Sequence, residues 1–171
     1  MAYTTIDNPE LFFQTVLWTG SGSARSITLP GSEDMQPDWV WGKNRGNDDN
    51  DYLLDSIRGV AQRITTNNTQ PEGTSSTLLT AFNSDGFSLG TSAGLNASGV
   101  TAVAWCWKAG TAFSNDASAT SIGTIDSTGT VNDTAGFSIV AYTGTGSAGT
   151  VKHGLSTTPS MILVKSRTGT Y

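Results

Sequence analysis

Apolar residues come in short runs broken by Gly, Ser, Asn and Asp, and within several runs they alternate with polar ones. Successive side chains on extended backbone point to opposite sides, so a period of two marks a strand with one face in a core. Residues 11–18 form the first run, with Thr15 inside it, and Thr19-Gly20-Ser21-Gly22-Ser23 ends it. Further strands are expected over 26–29, closed by Pro30-Gly31, and over 37–43. Two more, 52–57 and 60–65, flank Arg58-Gly59, and residues 67–76 make a long loop. Residues 78–82 and 87–89 flank Ser84-Asp85-Gly86, and Asp-Gly between apolar runs signals a hairpin. Residues 100–108 are the longest apolar stretch up to that point. Only 53–64 admits a short helix as an alternative. About eight strands at turn-bounded spacing predict an all-β fold, a β-sandwich or jelly roll.

Parity assigns faces. Trp39 and Trp41 share one side of their strand, with Val40 on the other. Trp105 and Trp107 likewise oppose Ala102, Ala104 and Cys106. A strand apolar on both faces reads as central and buried, so these four indoles are expected in the core.

After residue 109 the pattern changes. Residues 110–136 are small and polar and predict an extended linker. Then the chain starts again: Phe13-Gln-Thr-Val-Leu-Trp-Thr-Gly-Ser-Gly-Ser-Ala24 aligns with Phe137-Ser-Ile-Val-Ala-Tyr-Thr-Gly-Thr-Gly-Ser-Ala148. After a two-residue gap, residues 37–45 align with 159–167, with Pro37/Pro159, Lys43/Lys165 and Arg45/Arg167 identical. An internal repeat is the reading. Trp39 and Trp41 fall opposite Met161 and Leu163, which again points to a core face. The expected organisation is an N-terminal arm over 1–10, a sandwich over 11–109, the linker over 110–136, and an incomplete second repeat of two to three strands over 137–171. Two strands cannot bury an apolar face alone. Phe137, Ile139, Ile162 and Val164 are therefore expected to form an arm that pairs with the first domain, another subunit or further chain.

Composition sharpens this picture. Of 171 residues, 26 are Thr, 20 Ser and 20 Gly, while Glu occurs only at 10, 33 and 72 and Lys at 43, 108, 152 and 165. Thr suits strands and Gly and Ser suit turns, whereas helical bundles draw on Glu and Lys. The net charge of −5 and the lack of a basic cluster argue against a nucleic-acid partner. No 18-residue apolar run and no basic, apolar leader stand out, so neither membrane insertion nor a signal peptide is expected. The single cysteine, Cys106, excludes an internal disulfide and reads as a buried thiol. Three glycosylation sequons, at Asn67, Asn96 and Asn132, read as chance matches.

Candidate chemistry is sparse. Trp18 aligns with Tyr142, each beside a Gly-rich turn, and an amphipathic ring at a strand end suits contact with a carbohydrate or partner. Asn47-Asp48-Asp49-Asn50-Asp51 is the one dense oxygen cluster, and Asn47, Asp49 and Asp51 could offer ligands to Ca²⁺, although the Gly and distal Glu of an EF-hand loop are missing. A solvated acidic loop is the competing reading, and no other cofactor is expected. Gly90-Thr91-Ser92-Ala93-Gly94 matches a nucleophile elbow, but residues 95–99 are unsuited to the helix such an elbow requires. His153, the only histidine, reads as structural, and no catalytic set is expected.

Several segments together carry a resemblance. They are Trp-Thr-Gly-Ser-Gly-Ser (18–23), Met-Gln-Pro-Asp-Trp-Val-Trp-Gly-Lys-Asn-Arg (35–45), Leu-Leu-Asp-Ser-Ile-Arg-Gly (53–59), Phe-Asn-Ser-Asp-Gly-Phe-Ser-Leu-Gly (82–90), Val-Ala-Trp-Cys-Trp-Lys-Ala-Gly (103–110) and the two aligned segments at 136–146 and 153–167. In this order they resemble virion structural proteins of tailed phages, especially marine phages, with tandem concanavalin A-like sandwich repeats and a tail-fibre-like character. The resemblance implies a non-enzymatic module for virion assembly and host-surface attachment. Its partners would be other virion proteins, copies of itself and a host-surface glycan, and its place the virion, assembled in the host cytoplasm. A capsid decoration or head-fibre protein is the alternative within a virion. A carbohydrate-binding lectin module, using Trp18 and the 47–51 loop, is the alternative outside one.

Overall fold

A computed structural model describes residues 6–169; residues 1–5 of the expected N-terminal arm and the last two residues lie outside the described residues. The fold is all-β. Among the described residues twelve strands make three antiparallel sheets, with only short helical turns between them. The chain divides into two compact units, one of residues 8–108 with 163–169 and one of residues 109–162 with 6 and 7.

In the larger unit the strands are β1 (Phe13–Thr19), β2 (Arg25–Ile27), β3 (Trp39–Asn44), β4 (Asp51–Asp55), β5 (Gln62–Thr65), β6 (Gly73–Thr74), β7 (Leu79–Asn83), β8 (Gly86–Leu89) and β9 (Thr101–Trp107). Six of them form one sheet in the order β1-β9-β3-β4-β5-β6, and three form another in the order β2-β8-β7. The sheets share one core, so the arrangement is sandwich-like. Val16 and Trp18 of β1, Val40 of β3, Leu54 of β4 and Cys106 of β9 meet Ile27 of β2, Leu79 of β7, and Phe87 and Leu89 of β8.

The Asp-Gly hairpin forms as the sequence predicts, with Asn83 opposite Gly86. Gly86 has φ +102°, and a Cβ there would collide with the Ile27 carbonyl oxygen, so only glycine fits where β8 passes β2. The region 53–64 carries strands β4 and β5, not a helix. Conversely, Ala93–Asn96 makes one helical turn, α1, reaching into the stretch expected to be non-helical, capped by Ser92 Oγ accepting from Gly94 N–H.

That turn anchors the core. Leu95 packs over Gly42, where a Cβ would come within 2.8 Å of Leu95 Cδ1. Asn96 is 1% exposed; its Nδ2 donates to the carbonyls of Ser23 (2.7 Å) and Gly90 (2.8 Å), and its Oδ1 accepts from Ser21 N–H (2.9 Å). The amide of this sequon is therefore engaged in tying loops together. Asn96→Ala leaves those groups without their partner and is expected to lower stability by about 2–3 kcal/mol, read as a fall in the urea midpoint at unchanged m value.

Residues 163–169 belong to this larger unit. Arg167 is bidentate to Glu72, Nη2 to Oε1 at 2.7 Å and Nε to Oε2 at 2.9 Å, and Lys165 Nζ donates to the Asn68 carbonyl at 2.8 Å. Glu72 in turn accepts from Arg58 Nη1 (3.0 Å), and Arg58 Nε pairs with Asp55 Oδ2 (2.7 Å). Burial alone would raise Glu72, but the hydrogen bonds from Arg167 and Arg58 outweigh it and hold the carboxyl below its ordinary range.

The smaller unit departs from expectation. Residues 110–136 are not a featureless linker: they carry β10 (Thr111–Asn115), a helical turn α2 (Ala117–Thr120) and β11 (Ser127–Asn132). These join β12 (Phe137–Tyr142) in the order β10-β11-β12. Polar caps hold the turns, with Asp116 Oδ1 accepting from Ala119 N–H and Asp126 Oδ1 from Ala117 N–H. Phe113 faces Gly129 across the strands, where a Cβ would lie 2.6 Å from the Phe113 ring. A segment poor in large apolar residues thus makes a sheet by laying one aromatic ring over glycine. The first half of the repeat is mirrored, since β1 and β12 are both strands running into a Gly-rich turn. The second half is not: β3 is a strand, whereas the aligned 161–167 forms none.

Candidate functional site

The six-stranded sheet has an outer face, away from the shared core, and its rows follow from register. Phe13, Trp107, Trp39 and Asp55 form one row across β1, β9, β3 and β4. Thr15, Trp105, Trp41 and Leu53 form the next, and Leu17, Val103, Lys43 and Asp51 the third. Trp39, Trp41, Trp105 and Trp107 are half-buried on this face, which corrects their expected place in the core. The inner positions of β9 and β3 are instead Ala102, Ala104, Cys106, Val40 and Gly42. Their small volumes make room for Leu95, Phe87 and Met35 inside, so the large rings go outside.

The indoles brace one another. Trp107 lies 4.6 Å from Phe13 and, edge to face, 6.5 Å from Trp39 between ring centroids. Trp41 and Trp105 are 5.9 Å apart and tilted by 57°. Trp41 Nε1–H donates to Thr66 Oγ1 at 3.1 Å, and Thr66 N–H donates to the Asp51 carbonyl at 2.9 Å, which fixes that ring's orientation. Beside it Lys43 Nζ and Asp51 Oδ1 pair across β3 and β4 at 2.5 Å. Trp41, Trp105, Trp107, Lys43 and Asp51 together line a groove of about 310 Å³.

A second, smaller cleft of about 180 Å³ is lined by Tyr52, Arg63, Thr74, Ser75, Leu78 and Ser92. The Arg63 guanidinium stands 5.7 Å over the Tyr52 ring, and burial pushes the Tyr52 hydroxyl above its ordinary pKa.

The sequence-derived candidates fare differently. Trp18 is buried, 8% exposed, with its Nε1–H donating to the Leu95 carbonyl and its ring edge-to-face with Phe87; its expected contact role is corrected to a core role. Tyr142 ends β12 and is 44% exposed. Asn47, Asp49 and Asp51 each have partners within the protein. Asp51 serves Lys43, Asp49 Oδ1 accepts from Tyr52 Oη and Asn50 N–H, and Asn47 offers its N–H to Asn44 Oδ1. Among the described residues no group of three or more His, Cys, Asp or Glu side chains is placed to hold a metal ion. Phe137 and Ile139 pair with Asn132 and Thr130 of β11 in the same chain, whereas Ile162 and Val164 are 75% and 67% exposed. Ser92 serves as the cap of α1, and His153 Nδ1 accepts from Leu155 N–H. Cys106 is fully buried, which pushes its thiol up to about 12.

Apolar alternation alone points Trp39, Trp41, Trp105 and Trp107 into the core, whereas they share the outer face with Lys43. The signal is present all the same: Lys43 shares its face with Trp39 and Trp41, and a lysine on a strand face marks solvent.

Fold and groove together define an antiparallel β protein with an indole-bearing sheet surface. A family model described as a domain of unknown function, DUF7483, matches residues 8–171, and the chain belongs to that family. No curated protein and no solved structure matches it.

Proposed function

We propose that the chain is a non-enzymatic structural module of a tailed-phage virion. In this reading it is a tail-fibre-like or appendage part with a concanavalin A-like sandwich, working in assembly and in attachment to the host surface. The observation that carries the reading is the outer face of the six-stranded sheet. Interfaces are enriched in Trp and anchored by a few large aromatic groups, and here four indoles sit side by side on paired strands. Two antiparallel sheets sharing one core are compatible with a concanavalin A-like jelly-roll sandwich. The net charge of −5 suits a part that must not adhere to nucleic acid during assembly.

The partners in this reading are other virion proteins, copies of the same chain and a host-surface glycan. Mass analysis of purified virions of the encoding phage, with cryo-EM location, tests it. Peptides of the chain at a tail or fibre position are the expected result. Location on the capsid shell would transfer the chain to a decoration or head-fibre role, and absence from the particle would overturn the virion reading altogether.

A further inference from the structure

We propose that the groove of Trp41, Trp105, Trp107, Lys43 and Asp51 is a saccharide site that takes an uncharged sugar ring. The inference deepens the attachment reading and rests on it for the biological source of the glycan. At about 310 Å³ the groove falls at the small end of ligand sites, ~300–1,000 Å³. That scale suits a sugar unit or two.

Its chemistry has two parts. The indoles offer extended apolar faces, which complement the C–H faces of a pyranose while its hydroxyls stay at the ring edge. The Lys43–Asp51 pair supplies ammonium donors and carboxylate acceptors side by side, and a sugar hydroxyl is both donor and acceptor. The side chains of Lys43 and Asp51 keep 45% and 20% of their exposure, so both can be reached without breaking the pair.

The same pair selects against other occupants. Its charges cancel, so the groove has no surplus charge with which to draw in an acidic sugar or a phosphate. An apolar peptide anchor would strip water from the pair and return no hydrogen bond, whereas hydroxyls replace that water. Trp41 is also pre-positioned by its bond to Thr66, and Trp105 by the tilted contact with Trp41, so little side-chain order is lost on binding.

The test uses the full chain on an array of neutral and acidic oligosaccharides, followed by titration of the strongest neutral hit through intrinsic Trp fluorescence. Binding to neutral glycans is expected, with Trp105→Ala weakening it about tenfold or more. Lys43→Met, which leaves the indoles in place, is expected to weaken it as well. Far-UV and near-UV circular dichroism establish that each variant is folded, and Lys43→Met decides the matter if Trp105→Ala is not. A folded chain that binds no glycan, binds only acidic ones, binds equally well in both variants, or captures a peptide at this groove instead overturns the proposal. The virion reading fails separately: a chain found in particles but blind to sugars loses only the site, and a sugar-binding chain absent from particles loses only the virion role.

Discussion

Phe87→Ala is expected to lower the unfolding free energy by about 3–5 kcal/mol, the usual range for emptying a buried aromatic site. Phe87 is on β8 in the three-stranded sheet and is 0% exposed. Its ring meets Trp18 of the six-stranded sheet at 5.8 Å and 74°. Trp18 is tied to α1 by its bond to Leu95, so it cannot readily collapse into the space left by Phe87. The lost transfer free energy and the residual cavity therefore act together. Urea unfolding of the purified chain measures the effect. A loss below about 1 kcal/mol would mean that the two sheets do not share a tight core.

Arg58→Ala is expected to cost a similar amount, about 3–5 kcal/mol, for an electrostatic reason. The side chains of Arg58 and Asp55 are 5% and 3% exposed, and that of Glu72 is 12% exposed. Arg58 also donates Nη2 to the Leu53 carbonyl at 3.1 Å. Removing the guanidinium strands the Asp55 carboxylate in a site with little water. Arg167 gives the contrast, because its side chain is 43% exposed. An ion pair with one partner in solvent contributes ~1 kcal/mol or less, so Arg167→Ala should leave the urea midpoint nearly unchanged. Equal losses for the two variants would contradict this ranking. Arg58→Lys is not expected to restore wild-type stability, since an ammonium cannot serve Asp55, Glu72 and the Leu53 carbonyl with the guanidinium's fixed fork.

Strand content and the hairpin at Asp85-Gly86 are legible in the sequence because both depend on local rules: alternation, and a glycine at a positive φ. Cys106 is legible as a buried thiol for the same reason, its place in an apolar run. The faces are harder. Trp18 and Trp39 both look like core or contact residues in isolation, and which is which depends on what packs opposite. The inner face over β3 and β9 is filled by Leu95 from the helical turn α1, more than 50 residues away from Gly42, and no local pattern announces that. Lys43 is the one local clue, and the hydrophobicity of its neighbours outweighs it. Residues 110–136 are illegible for another reason. Ser and Gly ordinarily favour turns, and here backbone pairing together with the Phe113 ring over Gly129 draws them into strands.

The fully enclosed position of Cys106 also has a practical side. The chain offers no accessible thiol in its native state, so a cysteine introduced at an outward position such as Thr15 would be its sole reactive handle. A fluorophore or spin label could then be attached next to Trp105 without first removing the native sulfur, which keeps the tightly packed Ala104-Trp105-Cys106 stretch of the sheet intact while the outer face is observed.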